Sequence, residues 1–477
     1  MIVLYPKNNL LKKFMEYALG SGIVLIIGFI SSPLNTRLFS PTEFGKFSMF
    51  LLITNVINAL LLVGLDQSFV RYFYEEEEKV RGKLLYKNLK IPMLMCLVSC
   101  MVIVIFYKQL ADGIFGVSNN QLLILLILNN FFMILNRFAL LAIRMQQKGK
   151  LYSSTQVIQK VLNIALIIIF FMFFQNNFIV LVYAFVIANI VVTIIAMYYE
   201  RRLWSSIKKK GELNTSNVEL LKFGAPLVFT FLVTWLFQSI DRIFIQQYND
   251  YNELGIYSAA FSIIALLNAI QGAFTTFWVP VAYEAYHKDK ENVQFFQKIN
   301  GLVTYIMFLM GILIIMFKDL IVVLLGEEFR EASGIIPFLV FMPVMYTISE
   351  TTVLGISFLK KSSYHIVIAV IAAITNVVGN IVLVPSFGAK GAAISTGISY
   401  IVFFTMRTLI SKSLYSVKYS LFKFYVITMG LCLFALYATF KEFDIYYILF
   451  FVMNFVLLNV MYRNVLIEYF PKKYLKK

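Results

Sequence analysis

Residues 231–260 read FLVTWLFQSIDRIFIQQYNDYNELGIYSAA. The apolar context reaches back to Ala225, and then Asp241 and Arg242 stand side by side before a polar turn and a second apolar run. A charge at the centre of a membrane helix costs about 2.5–3.5 kcal/mol on insertion scales, so such residues face a wet cavity or a partner. The stretch therefore reads as the end of one membrane span with a functional polar face, a short loop, and the start of the next.

The rest of the chain agrees. It has 477 residues, 60% hydrophobic and 14% charged, with mean hydropathy +0.79. A soluble domain carries about a quarter charged residues. Apolar runs of roughly 20 residues, the length of a hydrocarbon core, recur throughout. Runs such as LVSCMVIVIFY and LLILLILNNFF do not alternate, which excludes a membrane β-barrel. The fold class is an all-α integral membrane protein of fourteen transmembrane helices. The expected spans are 18–38, 44–65, 89–107, 121–143, 153–174, 178–199, 225–247, 254–281, 296–317, 334–359, 364–384, 389–410, 421–440 and 445–467. An even number puts both termini on one face. Connections on that face hold 32 of the 42 Lys and Arg, the opposite ones 6, so both termini are expected in the cytoplasm. The same bias accounts for most of the +17 net charge without nucleic acid. EEEEK (75–79) and KKK (208–210) read as solvated loop. The basic start followed by an apolar run without a small-residue cleavage site reads as an uncleaved first span. Cys96, Cys100 and Cys432 all fall in apolar runs without metal-ligand spacing, so no disulfide framework, metal or cofactor is expected.

The stretch has a counterpart. Residues 36–50, TRLFSPTEFGKFSMF, carry Arg37 and then EFGKFS, as the opening stretch carries Arg242 and then ELGIYS. KGKLYSSTQVIQKVLN (148–163) likewise matches KKSSYHIVIAVIAAITN (360–376): basic residues, a Tyr, then an Asn eleven or twelve residues on. These matches align spans 1–6 with spans 7–12, a parallel repeat of two six-helix lobes. The expected division is an N-terminal lobe at 1–200, a cytoplasmic linker at 201–224, a C-terminal lobe at 225–412, and accessory spans 13 and 14 with a tail at 413–477.

Polar residues fall at helical spacing. Span 5 aligns Ser153, Gln156, Lys160 and Asn163; span 7 aligns Gln238 and Arg242; span 8 offers Asn268 and Gln271; span 1 offers Asn35 and Arg37; span 4 offers Arg137. Arg37, Arg137, Lys160 and Arg242 are thus candidates for a cationic cavity between the lobes, lined by Asn35, Gln156, Asn163, Gln238, Asn268 and Gln271. The acids available to them are Asp241, Glu350 and the boundary residue Asp66, each also a candidate for ion coupling. The excess of base points to an anionic cargo. Arg37, Arg242 and Lys160 lie near span ends, where snorkelling to the interface is the plainer alternative. Pro33, Gly64, Pro226, Pro280, Pro337 and Pro343 are expected to bend helices.

RLFSPTEFGKFS, DRIFIQQYNDYNELGIYSAAF, LLGEEFREASGIIPFL and PSFGAKGAAISTGIS resemble segments of the bacterial polysaccharide flippases, the O-antigen and capsule repeat-unit exporters of the multidrug/oligosaccharidyl-lipid/polysaccharide (MOP) superfamily. The resemblance covers nearly the whole chain. It implies two six-helix lobes around a cationic cavity and a cargo of undecaprenyl-pyrophosphate-linked oligosaccharide. That cargo would move from the inner to the outer leaflet by alternating access, alongside a polysaccharide polymerase and glycosyltransferases. A lipid II flippase and a MATE-type drug or cation antiporter share this logic and stay open. An enzyme is not expected, since the longest connection is about 25 residues and holds no carboxylate-bearing domain. No G-x-x-x-x-G-K-[ST] phosphate loop occurs.

Overall fold

The computed structural model describes residues 7–116, 119–174, 176–206, 213–361 and 363–469. The Lys208–Lys210 run lies outside them. The first helices are α1 (Lys7–Leu38), α2 (Pro41–Leu62), α3 (Leu65–Tyr72), α4 (Arg81–Ile105), α5 (Tyr107–Phe115), α6 (Asn120–Met145), α7 (Gly149–Phe173), α8 (Phe178–Tyr199) and α9 (Arg201–Ser205). Then come α10 (Asn217–Tyr248), α11 (Tyr251–Lys288), α12 (Val293–Met316), α13 (Lys318–Val322), α14 (Ile336–Leu339), α15 (Phe341–Thr352) and α16 (Leu354–Phe358). The last are α17 (Ser363–Leu414), α18 (Leu421–Phe440), α19 (Ile445–Met461) and α20 (Arg463–Tyr469). Helix occupies every stretch expected to be a span. Among the described residues nine helices are long and apolar enough to cross a membrane, or ten if the pair Glu327–Gly334 and Ile336–Thr352, bent by 54°, counts as one. The protein is an all-α multi-pass membrane protein.

Helix is dictated here because lipid offers the backbone no hydrogen bonds. Polar side chains inside the helices follow the same rule: Thr54, Asn88, Thr193 and Asn454 each bond a carbonyl four residues back. Loop ends use ordinary caps. Asp250 accepts from Glu253 N, Asn292 from Phe295 N and Asp444 from Tyr447 N. Ser216 and Glu219 form a reciprocal capping box at the start of α10.

The chain divides into two compact units, Met1–Phe39 with Glu43–Trp235, and Ser40–Thr42 with Leu236–Lys477. The division falls inside α10. In the first unit Leu65, Phe69, Leu84, Phe138 and Leu220 share one core. Gly64 takes φ +69 there, and a Cβ on it would meet the Gly224 carbonyl oxygen at 2.1 Å. Only glycine permits that turn and that approach. EEEEK is not uniformly solvated, because Glu76 is buried. Its carboxylate accepts from Thr215 N (2.9 Å) and Thr215 Oγ1 (2.7 Å), tying the linker to this unit.

In the second unit α17 is a hairpin. Gly388, at φ 54 and ψ −135, breaks it. A Cβ on Gly379 would strike Ser395 and one on Gly391 would strike Leu383, so the halves run back along each other with small residues at the seam. The core of this unit includes Trp278, Phe296, Leu354 and Val417.

The same construction recurs in both units. Glu43 of EFG accepts from Phe178 N at 2.6 Å, the start of α8. Glu253 of ELG accepts from Ala389 N at 2.9 Å, the start of the second half of α17. The fourth and tenth expected spans end alike too. Gln147 (φ 58) and Lys360 (φ 56) are left-handed, and the next residue reaches back five, Lys148 N to Ile143 O and Lys361 N to Ile356 O. Counted from those joints, Asn163 and Asn376 both stand sixteen residues on, which corrects the unequal Tyr-to-Asn spacing. Arg137 and Glu350 both stand ten residues before.

Candidate functional site

Asp241 lies on α10 with 3% of its surface exposed. Its Oδ1 accepts from Asn376 Nδ2 (3.0 Å) and Asn380 Nδ2 (2.7 Å), one helical turn apart on the first half of α17. Its Oδ2 accepts from the Tyr257 hydroxyl of α11 (2.6 Å) and from Thr396 Oγ1 on the second half of α17. A buried carboxylate is tolerable only with such a donor shell. Asn376 also donates to Thr396 Oγ1 (3.2 Å), and Ser395 Oγ donates to the Asn376 carbonyl (2.7 Å), so the hairpin is fixed around the acid. Which end of each amide faces Asp241 follows from the network, and either can be turned to present oxygen.

Arg242 points elsewhere. Its guanidinium stands 4.8 Å from the Phe261 ring centre, and its buried Nε has no hydrogen-bond partner among the described residues. Neighbouring helical residues project about 100° apart, so the adjacent acid does not neutralise it.

The other basic candidates divide. Arg137 is paired: its Nε and Nη2 donate to Asp66 Oδ2 at 2.9 and 2.7 Å, and Gln67 adds a third donor to that oxygen at 2.8 Å. Arg37 and Lys160 are exposed, with no ion pair among the described residues. Glu350, the remaining acid, is buried and bound to Arg407 at 2.7 Å. Arg407 Nη1 also donates to Ser349 Oγ (2.6 Å), between the rings of Tyr346 and Phe403, both 5.1 Å from it. This corrects two expectations. Arg407, counted with the cytoplasmic connections although it falls within the expected span 389–410, is buried on α17, which continues to Leu414. Asp66 and Glu350 are already engaged, while Arg37 and Lys160 in the first unit and Arg242 in the second have no ion pair among the described residues.

The amide candidates range from buried to half-buried. Asn35 is buried, and Asn35 Oδ1, Asn163 Nδ2, Asn268 Oδ1 and Thr275 Oγ1 lack hydrogen-bond partners among the described residues. A polar atom so placed is unfavourable unless solvent or a polar ligand meets it. Gln156 and Gln271 are half-buried; the Gln238 side chain lies outside the described residues. In the first unit α1 packs along α7, with Gly20 seated against Ser153, so Asn35 and Arg37 lie on the helix beside Gln156, Lys160 and Asn163. In the second unit Asp241 and Arg242 share α10, and Asn268 and Gln271 lie on α11. Among the described residues no group of three or more His, Cys, Asp or Glu is placed to hold a metal ion.

A family model described as polysaccharide biosynthesis protein matches residues 10–286. No curated protein sequence matches the chain. Among solved structures, one titled lipid II flippase MurJ, inward closed conformation, superposes with TM-score 0.70 at 14% identity, covering 97% of this chain and 99% of that one. An inward-facing multidrug resistance MATE family transporter of the MOP superfamily gives TM-score 0.56 at 16% identity over 84% of this chain and 94% of its own. An outward-facing MATE transporter gives 0.56 at 14% identity over 84% and 95%. At these identities the likeness is one of fold, that of the MOP transporters.

Proposed function

The chain belongs to the polysaccharide biosynthesis protein family, and from that premise we propose that it is a flippase for an oligosaccharide linked to a polyprenyl pyrophosphate. The cargo would cross from the cytoplasmic to the outer leaflet of a bacterial cytoplasmic membrane, for surface polysaccharide assembly. The observation that carries the reading is the pairing pattern: three unpaired bases, Arg37, Lys160 and Arg242, occur with unpartnered amides, while the internal acids Asp66 and Glu350 are neutralised. Guanidinium forks match pyrophosphate oxygens, and amides and hydroxyls match sugar. An antiporter for cationic drugs wants the opposite balance.

Arg242→Ala is expected to remove a charge-assisted contact of about 2 kcal/mol, a roughly thirtyfold loss of export at normal protein abundance. Arg242→Lys retains part of it, since charge survives without the fork. Full export by Arg242→Ala would overturn the cargo-binding role. A lipid II flippase is the second reading, supported by whole-chain likeness to the structure of that title. Restoration of peptidoglycan synthesis, rather than polysaccharide export, in a depleted host would favour it.

Asp241 is assigned the coupling role. Turned amides of Asn376 and Asn380 with the Thr396 hydroxyl would surround its carboxylate with hard oxygen ligands, the set that suits an alkali cation. Wild-type export should then rise with an inward cation gradient, and Asp241→Asn should lose that response. An identical gradient response in Asp241→Asn refutes the role.

A further inference from the structure

The segments YNDYNELG, LLGEEFREASG and PSFGAKG meet in the second unit around an open cleft of about 350 Å³ that the proposed transport site does not use. Its walls carry Asn249, Glu253, Glu331, Lys390, Phe387 and Phe440. The floor is rigid. Glu253 Oε2 accepts from Ala389 N, and left-handed Gly388 lies so close that a Cβ there would stand 2.8 Å from that oxygen and 3.4 Å from Asn249 Nδ2. Glu331 and Lys390 have no ion-pair partner among the described residues. Phe387 and Phe440 meet edge to face with ring centres 5.5 Å apart, yet remain 47% and 43% exposed.

Three features select the ligand. The volume lies near the lower end of the range for small-molecule sites, about 300–1,000 Å³, which admits one or two sugar rings. Carboxylate, amide and ammonium groups converge, offering acceptors and donors together as vicinal hydroxyls require. The exposed ring faces supply the apolar platform for a sugar's C–H face. A divalent cation would want more carboxylate, and no group of three or more His, Cys, Asp or Glu is placed to hold a metal ion among the described residues. The first unit repeats only the floor. Glu43 caps α8 as Glu253 caps the second half of α17, but Phe440 belongs to α18, outside the sequence repeat.

We propose that this cleft is a glycan-binding subsite, taking a neutral sugar residue of the cargo or of its polymerised product. The choice of sugar rests on the polysaccharide reading; the binding test does not. Full-length protein in nanodiscs is mixed with methyl glycosides of glucose, galactose, mannose, rhamnose and N-acetylglucosamine, and saturation transfer to each is read by NMR. Transfer to at least one sugar is expected, reduced at least fivefold in Glu331→Gln and in Phe387→Ala and unchanged in Arg242→Ala. Both altered side chains are exposed, and normal membrane abundance with an unchanged melting temperature reports that they fold. No transfer to any sugar, or equal transfer in both variants, overturns the subsite. Normal export by Arg242→Ala with sugar binding intact would instead sink the transport reading and leave the subsite standing.

Discussion

Arg407 and Glu350 show how a single pair decides what its neighbours are free to do. Both are nearly excluded from solvent, so neither tolerates loss of the other. Removing one member of such a pair strands a buried charge at about 3–5 kcal/mol, whereas replacing both by apolar residues of similar size is often neutral. Glu350→Gln is therefore expected to lower the melting temperature of the detergent-solubilised protein, and Glu350→Leu with Arg407→Met to recover most of the loss. A double variant as unstable as the single one would contradict a pairing defect. The sequence made Asp241, Arg242 and Glu350 visible, because charges within apolar runs stand out. It could not show their partners. Asp241 meets Asn376 across 135 positions and Arg407 meets Glu350 across 57, and no local spacing encodes a contact made by folding.

At the scale of elements, lipid makes the helices legible: a segment long and apolar enough to span has no alternative backbone structure. The repeat was legible because Glu43 of EFG and Glu253 of ELG do one mechanical job, each capping the start of another helix. What the apolar pattern did not reveal was the depth of the α17 hairpin, since two runs separated by four residues look like any adjacent spans. Gly388 is its tip. A side chain there would adopt an unfavourable φ and crowd the Glu253 carboxylate that caps the returning helix. Gly388→Ala should destabilise the second unit by about 1–2 kcal/mol, measured as an earlier unfolding transition. Glu253→Gln, which keeps an acceptor at the cap, should do less. Equal stability of Gly388→Ala and wild type would show that the hairpin tip is free to relax.

Loop charge sets which end of the protein faces the cell interior. Burial of Arg407 removes one charge from the side counted as cytoplasmic, and the remaining imbalance is still about fivefold. That bias orients a chain because basic loops are retained in the cytoplasm during insertion. The turn from α10 into α11 is a sharp test, since 248–253 holds neither Lys nor Arg, and Asn252, in the first turn of α11, is exposed. Cys96, Cys100 and Cys432 are all within helices, so they can be replaced and Asn252→Cys introduced as the single thiol. A membrane-impermeant maleimide should label it in intact cells. The companion Glu77→Cys, in the opposite set of connections, should label only after permeabilisation. If the two behave the other way round, both termini lie outside and the direction of transport proposed here is reversed. If the outcome is as expected, the cleft beside Gly388, lined by Glu253 next to Asn252, opens on the outer face of the membrane.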